Sequence, residues 1–267
     1  MPFRSLTVVL PAYNEEARLG PALDELFGYL GRRGEKARDG SPGSAGLPEG
    51  VHVLVVDDGS ADRTADIVRE RPEASQRVHV DGVDRPLLAV LSIPHGGKGA
   101  AVRAGMLAAE GEVVVFADAD MATVPDELVS LVRALDGADV ALGSRIQPDG
   151  SDMRASQPAW RQLLGKMFHL FASGWVVGPV QDTQCGFKGF RREVARDVFA
   201  RQLITSIVFD VELVFLVRKR GYRFTVVPIR WGDRRGSRMR PGPRLAVRVA
   251  WDLFRIPLLH RKVTRAR

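Results

Sequence analysis

Residues 112–128 read EVVVFADADMATVPDEL. Val113–Phe116 is an unbroken apolar run, the pattern of a strand buried on both faces. It runs straight into two carboxylates one residue apart, Asp118 and Asp120. Carboxylates this close repel, and one takes up a proton unless a cation is present. If the backbone stays extended, both side chains point to one side. Two carboxylates suit Mg2+ or Mn2+, completed by phosphate oxygens and water. The competing reading makes the pair an N-cap of the following helix.

Outward from this strand, the chain alternates strands and helices. LTVVLPAY (6–13), VHVLVVDDGS (51–60), LLAVLSIP (87–94) and ADVALGSR (138–145) read as strands. Between them, Leu19, Leu23, Leu26, Phe27 and Leu30 fall at helical spacing, and 61–72, the stretch after His95 and 123–137 also read as helices. The alternation argues for an α/β fold with a mostly parallel sheet flanked by helices. Such sheets place their sites at the carboxyl ends of strands. Five strand ends here carry unusual residues: Pro11–Glu15, Asp57–Asp58, Pro94–Gly99, Asp118–Asp120 and Gly143–Arg145.

After Arg145 the pattern changes. Residues 151–178 read as an amphipathic helical stretch, 179–199 as a turn then a helix, and 208–221 as a helix. Residues 222–238 read as a strand and a basic loop. In the last helix, Ala246, Val249, Ala250 and Leu253 share one face, while Arg244, Arg248 and Arg255 share another. A basic amphipathic helix either packs on its own domain or lies at a membrane surface.

The chain has 267 residues, 45% hydrophobic and 27% charged, the composition of a globular protein with a sizeable core. The single cysteine, Cys185, excludes an intrachain disulfide. No apolar run approaches the ~18 residues of a membrane helix, and the N-terminus reads as a first strand rather than a secretory leader. The expected location is therefore cytoplasmic, with peripheral contact at the cytoplasmic membrane face open. Net charge is +7 but unevenly placed. Residues 218–267 hold 16 Lys/Arg against 2 Asp/Glu, so the rest of the chain is acidic. A basic end on an acidic body points to an anionic partner. Nucleic acid is disfavoured, because no reader motif accompanies the charge.

Several chemistries are excluded. An aspartyl phosphatase motif wants Thr or Val at 122, where Ala122 stands. HGGKGAA (95–101) fails the P-loop pattern, since Gly99 follows Lys98 where a hydroxyl is required. No G-x-G-x-x-G follows the first strand, and the five histidines show no metal-ligand spacing. Asp58-Gly59-Ser60 reads as a turn, with a carboxylate accepting a nucleobase N–H as the alternative.

Taken together, PAYNEE (11–16), VVDDGSADRT (55–64), GGKGAAVRAG (96–105), FADAD (116–120) and GSR (143–145) resemble the family 2 glycosyltransferases of the GT-A fold. DTQCGFKGF (182–190), FDVELVF (209–215) and WGDRRGSR (231–238) look like the dolichyl-phosphate β-glucosyltransferase branch. They are more distantly similar to polyprenyl-phosphate mannose synthases. The resemblance implies a Rossmann-like GT-A sheet with a C-terminal, acceptor-side helical and basic subregion. It divides the chain into a nucleotide-sugar half (1–145), an acceptor and catalytic half of the same domain (146–241) and a basic C-terminal helix (242–267). It matches Pro11, Tyr13, Glu15, Val56 and Asp58 to nucleotide-binding positions, with Lys98 nearby. Asp118 and Asp120 match the D-x-D that holds Mg2+ or Mn2+ on the diphosphate, with Ala119 lining the same site. Arg145 matches an arginine facing the acceptor. Arg230 and Arg238 match basic positions of a loop closing on donor and acceptor phosphates. Asp210 falls where many inverting members carry a base or a sugar-binding acid, and Asp182 and Gln184 match the donor-sugar pocket.

The implied activity is metal-dependent, inverting transfer of a hexose, glucose from UDP-glucose, to a polyprenyl or dolichyl phosphate. GDP-mannose as donor, a soluble acceptor, and a sugar-phosphate nucleotidyltransferase are the alternatives. The branch often carries a membrane anchor, and none is expected from this sequence. A lipid acceptor would then require peripheral membrane contact through the basic C-terminal helix.

Overall fold

The computed structural model describes residues 3–38, 46–153, 168, 170, 172–178, 180, 182–232 and 242–266. Seven strands form the main sheet: β1 (Ser5–Ala12), β2 (Gly50–Asp57), β5 (Leu88–Ser92), β6 (Val113–Ala117), β7 (Val140–Ser144), β8 (Phe187–Arg191) and β9 (Phe224–Pro228). Their order is β5-β2-β1-β6-β8-β7-β9. Every pairing is parallel except those of β8, which runs antiparallel between β6 and β7. The mostly parallel sheet expected from the alternation is therefore present.

Helices α1 (Glu16–Arg38), α2 (Thr64–Arg69) and α4 (Glu127–Ala134) cover one face, packing Leu19, Leu23, Val68 and Leu131 against Leu6, Val8, Leu10 and Val53. On the other face lie α3 (Lys98–Ala108), α5 (Arg192–Arg201), α6 (Phe209–Arg220) and α7 (Pro243–Leu259). There Val9, Val56, Phe116 and Phe190 meet Val102, Met106, Phe199 and Phe209. Alternate residues of β1 thus feed two separate cores, as the two-residue strand period requires. Gly105 lets α3 sit directly on β1 and β2, since a Cβ there would run into Val9 and Val56.

Three features correct the sequence reading. Residues 187–191 form β8, where only a turn and a helix are expected. A hairpin of β3 (Arg77–Val80) and β4 (Val83–Pro86) stands apart from the main sheet. Its Asp81-Gly82 corner has positive φ at both residues, 48° and 85°, the geometry that Asp-Gly favours in two-residue hairpins. In α7 the buried residues are Asp252, Leu253, Ile256 and, just beyond its end, His260; Ala246 and Ala250 are exposed. Of the helical stretch expected over 151–178, most lies outside the described residues, and Ala172–Val177 is a π-helical turn.

Candidate active site

The site forms where the carboxyl ends of β1, β2, β5, β6 and β7 meet one edge of the sheet. Because β8 is antiparallel, its start, not its end, lies there too: Phe187 pairs with Ala117. The segment Asp182–Gly186 is thereby carried to the D-x-D.

At the end of β1, Asn14 takes a left-handed φ of 52°. Its amide donates to the Ser60 hydroxyl (2.9 Å), and its Oδ1 accepts from the Ala61 N–H (2.8 Å). The Glu15 N–H donates to Thr64 Oγ1 at 2.8 Å. These bonds lace the first strand end to the second. The Glu15 carboxylate is gripped by Arg18, through Nε at 2.6 Å and Nη2 at 2.5 Å. Arg18 Nη1 also lies 3.8 Å from Asp120. Arg18 thus joins Glu15 to the D-x-D, a link the sequence reading missed although Glu15 and Arg18 stand at i, i+3 spacing.

Asp58 is buried, and its carboxylate accepts from the Gly96 and Gly97 N–H groups at 2.8 and 2.9 Å. His95 Nδ1 is 2.9 Å from Asp58 Oδ2, and the His95 ring stacks on half-exposed Tyr13 with centroids 4.2 Å apart. The turn is closed by Asp57, whose Oδ1 accepts from the Ser60 N–H at 3.0 Å, while Asp58 shapes the glycine loop that leads into Lys98. Val56 is wholly buried against Gly105, so any contact it makes with a nucleotide belongs to its backbone. Pro11 sits beside it in register.

The D-x-D is not extended. β6 ends at Ala117, the Met121 N–H returns to the Asp118 carbonyl (3.1 Å), and Met121 takes a φ of 49°. The Asp120 carboxylate accepts from the Ala122 N–H at 3.1 Å. Neither aspartate caps α4, which starts at Glu127. Ala119 is buried beneath them. Burial pushes the Asp120 carboxyl above its usual range, and the nearby Asp118 charge adds to that. Lys98 Nζ lies 2.5 Å from Asp118 Oδ1. Burial alone would lower the Lys98 ammonium, but Asp118, Asp210 and Asp120 outweigh it and raise it. Opposite Asp118 stands Gly186, where a Cβ would collide with the carboxylate. Two carboxylates at one strand end, the Asp118 group packed directly against the Gly186 backbone, fit a divalent cation that takes its other ligands from phosphate and water. Among the described residues no cluster of three or more His, Cys, Asp or Glu offers a complete protein cage.

Behind this turn lies a buried ion pair. Lys188, 0% exposed on β8, donates to Asp210 Oδ1 and to the Cys185 carbonyl, both at 2.5 Å. Its ammonium also sits 5.4 Å from the centroid of the Phe116 ring. Asp210, in the first turn of α6, is 3% exposed. Burial raises its carboxyl against the opposing pull of Lys188 and Lys98. Side chains of alternating charge thus run from Lys188 through Asp210 and Lys98 to Asp118. The signal for Lys188 was a lone lysine inside the apolar GFKGF.

Arg145 points at Asp182. Its backbone N–H, Nε and Nη2 all donate to that carboxylate, at 2.9, 2.8 and 2.7 Å, and its guanidinium lies 5.7 Å from the Trp231 ring. Both groups are largely buried. The pair ties β7 to the segment preceding β8, and Gln184 lies on that segment. Cys185 is buried there, its thiol pushed up to about 12 by burial and by Asp182, which makes it a poor nucleophile. Arg230 is exposed and pairs with Glu127 at 2.7 Å. The next residues run along the tail of the D-x-D: Trp231 bridges Thr123, and the Gly232 N–H donates to the Ala122 carbonyl at 2.9 Å. Arg238 lies outside the described residues.

Residues 7–199 match the profile of glycosyl transferase family 2. The chain is 34% identical over 263 residues to a dolichyl-phosphate beta-glucosyltransferase of Trichomonas vaginalis, covering 96% of this chain and 71% of that one. It is 35% identical over 252 residues to the Drosophila melanogaster enzyme of that name (90% and 71%) and 32% identical over 247 to the human one (90% and 71%). Among solved structures, glucosyl-3-phosphoglycerate synthase of Mycobacterium tuberculosis with UDP superposes with a TM-score of 0.60 at 21% identity, over 96% of this chain and 80% of that one. A complex of that synthase with Mn2+, UDP and glucosyl-3-phosphoglycerate gives 0.59. At that identity the likeness speaks for the fold.

Proposed function

The chain belongs to glycosyl transferase family 2, and we propose that it transfers glucose from UDP-glucose to a polyprenyl phosphate of the dolichyl type, inverting the anomeric carbon. The observation that carries this reading is the convergence of the Asp118–Asp120 turn, Gly186 and Lys98 at one strand end. The shared name of the relatives supports the sugar and the acceptor.

In this reading Tyr13, with His95 stacked behind it, faces the nucleobase. The backbone at Pro11 and Val56 lines the nucleoside pocket, which Glu15 and Asp58 shape through Arg18 and the 95–97 loop. Asp118 and Asp120 hold Mn2+ or Mg2+ beside the diphosphate, next to Ala119. When bound, the cation supplies charge neutralisation at the departing nucleotide diphosphate. Lys98 adds a second positive charge on the same side. Asp182 and Gln184 border the sugar, with Arg145 fixing Asp182 in place. Arg230 and Arg238 flank the acceptor phosphate.

The state of Asp210 favours a phosphate acceptor over an alcohol. An alcohol needs a free base to take its proton. Asp210 is buried against Lys188 and engaged as a counter-ion. A lipid monophosphate arrives already ionised and needs positioning, for which arginine's bidentate fork is suited. Such an acceptor brings the reaction to a membrane surface. No helix among the described residues is long and apolar enough to cross one.

Calorimetric titration with UDP-glucose and GDP-mannose, each with Mn2+, tests the donor. Binding of UDP-glucose alone is expected; preference for GDP-mannose would overturn the assignment.

A further inference from the structure

One face of α7 is apolar, aromatic and without a partner among the described residues. Val247, Trp251, Phe254 and Leu258 are 71, 58, 44 and 54% exposed. At 100° per residue all four fall within about 60° of arc, forming a single ridge. Trp175, on the neighbouring π-helical turn, extends it: its ring lies parallel to Phe254, 5.9 Å between centroids, and its indole N–H donates to the Phe254 carbonyl at 3.3 Å. Trp251 also stacks on Phe254, with centroids 6.1 Å apart. Three aromatic rings clustered on a surface are costly to leave in water, and such patches mark interaction sites.

The exposure is not the result of a loosely placed helix. The opposite face is latched. Asp252 accepts from the Ser206 hydroxyl at 2.6 Å and pairs with Arg255 at 2.7 Å. Leu253 and Ile256 are buried. Beyond the helix, His260 Nε2 is 2.7 Å from buried Glu212. These contacts fix the rotation of α7 and turn the ridge outward.

We infer that Trp175, Val247, Trp251, Phe254 and Leu258 form a docking ridge that inserts shallowly into the headgroup region of an anionic bilayer, with α7 lying in its plane. The inference deepens the proposed use of a lipid phosphate and rests on that reading for its purpose. Charge complementarity selects the occupant. Arg248 lies about a quarter-turn round the helix from the ridge, and Arg261, Lys262 and Arg265 follow at its end; all four are exposed. They belong to the segment 218–267, with 16 basic and 2 acidic residues. An apolar ridge flanked by arginines matches an interface of acyl chains beneath anionic headgroups. Trp at the polar–apolar boundary is the residue that such an interface favours.

The test is flotation with phosphatidylcholine vesicles, with and without phosphatidylserine, together with quenching of tryptophan fluorescence by brominated lipid. The wild-type chain should float with the anionic vesicles and be quenched. Trp251→Ser combined with Phe254→Ser should lower partitioning at least about tenfold, since it removes two aromatic anchors that the bilayer would bury. Val247→Ser with Leu258→Ser is the second variant, and it should weaken binding in the same direction. UDP binding, measured by calorimetry, should stay unchanged in both, which verifies the fold and the donor site. Flotation of both variants at the wild-type level would overturn the ridge, as would a wild-type chain that fails to float. A wild type that sediments as a dimer, with monomeric ridge variants and no vesicle binding, would assign the face to a second copy instead. Transfer to a short-chain, water-soluble polyprenyl phosphate separates the two readings. Its absence in the wild type refutes the proposed acceptor, while vesicle binding is judged on its own.

Discussion

Replacing Lys188 by Met probes the charged core of the site. Lys188 is fully buried and Asp210 nearly so, and the ammonium donates to Oδ1 at 2.5 Å. Met fills a similar volume but leaves the buried Asp210 carboxylate with its hydrogen-bonded partner gone and Lys98 as the nearby cation. Removing one member of a buried pair costs about 3–5 kcal/mol. For a chain of this size that corresponds to a fall in Tm of roughly 6–20 °C. The loss should depend on pH. Burial already holds the folded-state pKa of Asp210 above its ordinary value, and without Lys188 it rises further. The folded variant then binds a proton more readily than the unfolded chain, so its stability falls as pH rises from the ordinary carboxylate range through the raised folded-state value. Acidification into that window should recover part of the loss. Lys188→Met/Asp210→Asn removes the stranded charge and should be more stable than the single variant at neutral pH. Thermal unfolding across pH reads all three effects. A Lys188→Met variant losing less than about 1 kcal/mol, below the range for a broken buried pair, would refute the reasoning. So would a double variant no better than the single.

Other expectations follow from individual contacts. Gly186→Ala drives a Cβ into the Asp118 carboxylate. It should weaken Mn2+ binding in the presence of UDP, read by electron paramagnetic resonance, while circular dichroism stays native. Arg145→Lys keeps the charge but cannot reproduce the fork on Asp182, and should lower kcat/KM at least about tenfold; unchanged kinetics would remove Arg145 from the site's support. Glu212→Ala strands the Leu203 and Ile204 N–H groups, which donate at 2.9 and 2.8 Å, and unties His260. It should cost about 1–3 kcal/mol in urea unfolding, chiefly from the buried Ile204 donor left unpaired.

The five loaded strand ends were legible because parallel sheets put function at one edge, and each end carried a residue that a core strand would not. β8 was not legible. QCGFKGFR carries two glycines and a lysine, and that lysine is tolerable in a sheet only because Asp210, from a helix 22 residues later, neutralises it. The hairpin was signalled by Asp81-Gly82 between VHV and V-D-R, a turn pattern that went unused. On α7 no local pattern marks the polar residues Asp252 and His260 as buried. Their partners, Ser206 and Glu212, lie more than forty residues away in sequence and bury them. That displacement turned the aromatic side of the helix outward. The pairings of Asp58 with the glycine loop and of Arg145 with Asp182 are likewise tertiary, and no local pattern announces them.

The most direct measurement is product formation from UDP-glucose and a polyprenyl phosphate with Mn2+, followed by mass spectrometry, for the wild type and Asp120→Asn. A glucosyl polyprenyl phosphate that appears only with the wild type, and disappears on chelation, is expected. Equal turnover by Asp120→Asn, or UDP release without the glycolipid, would contradict the account.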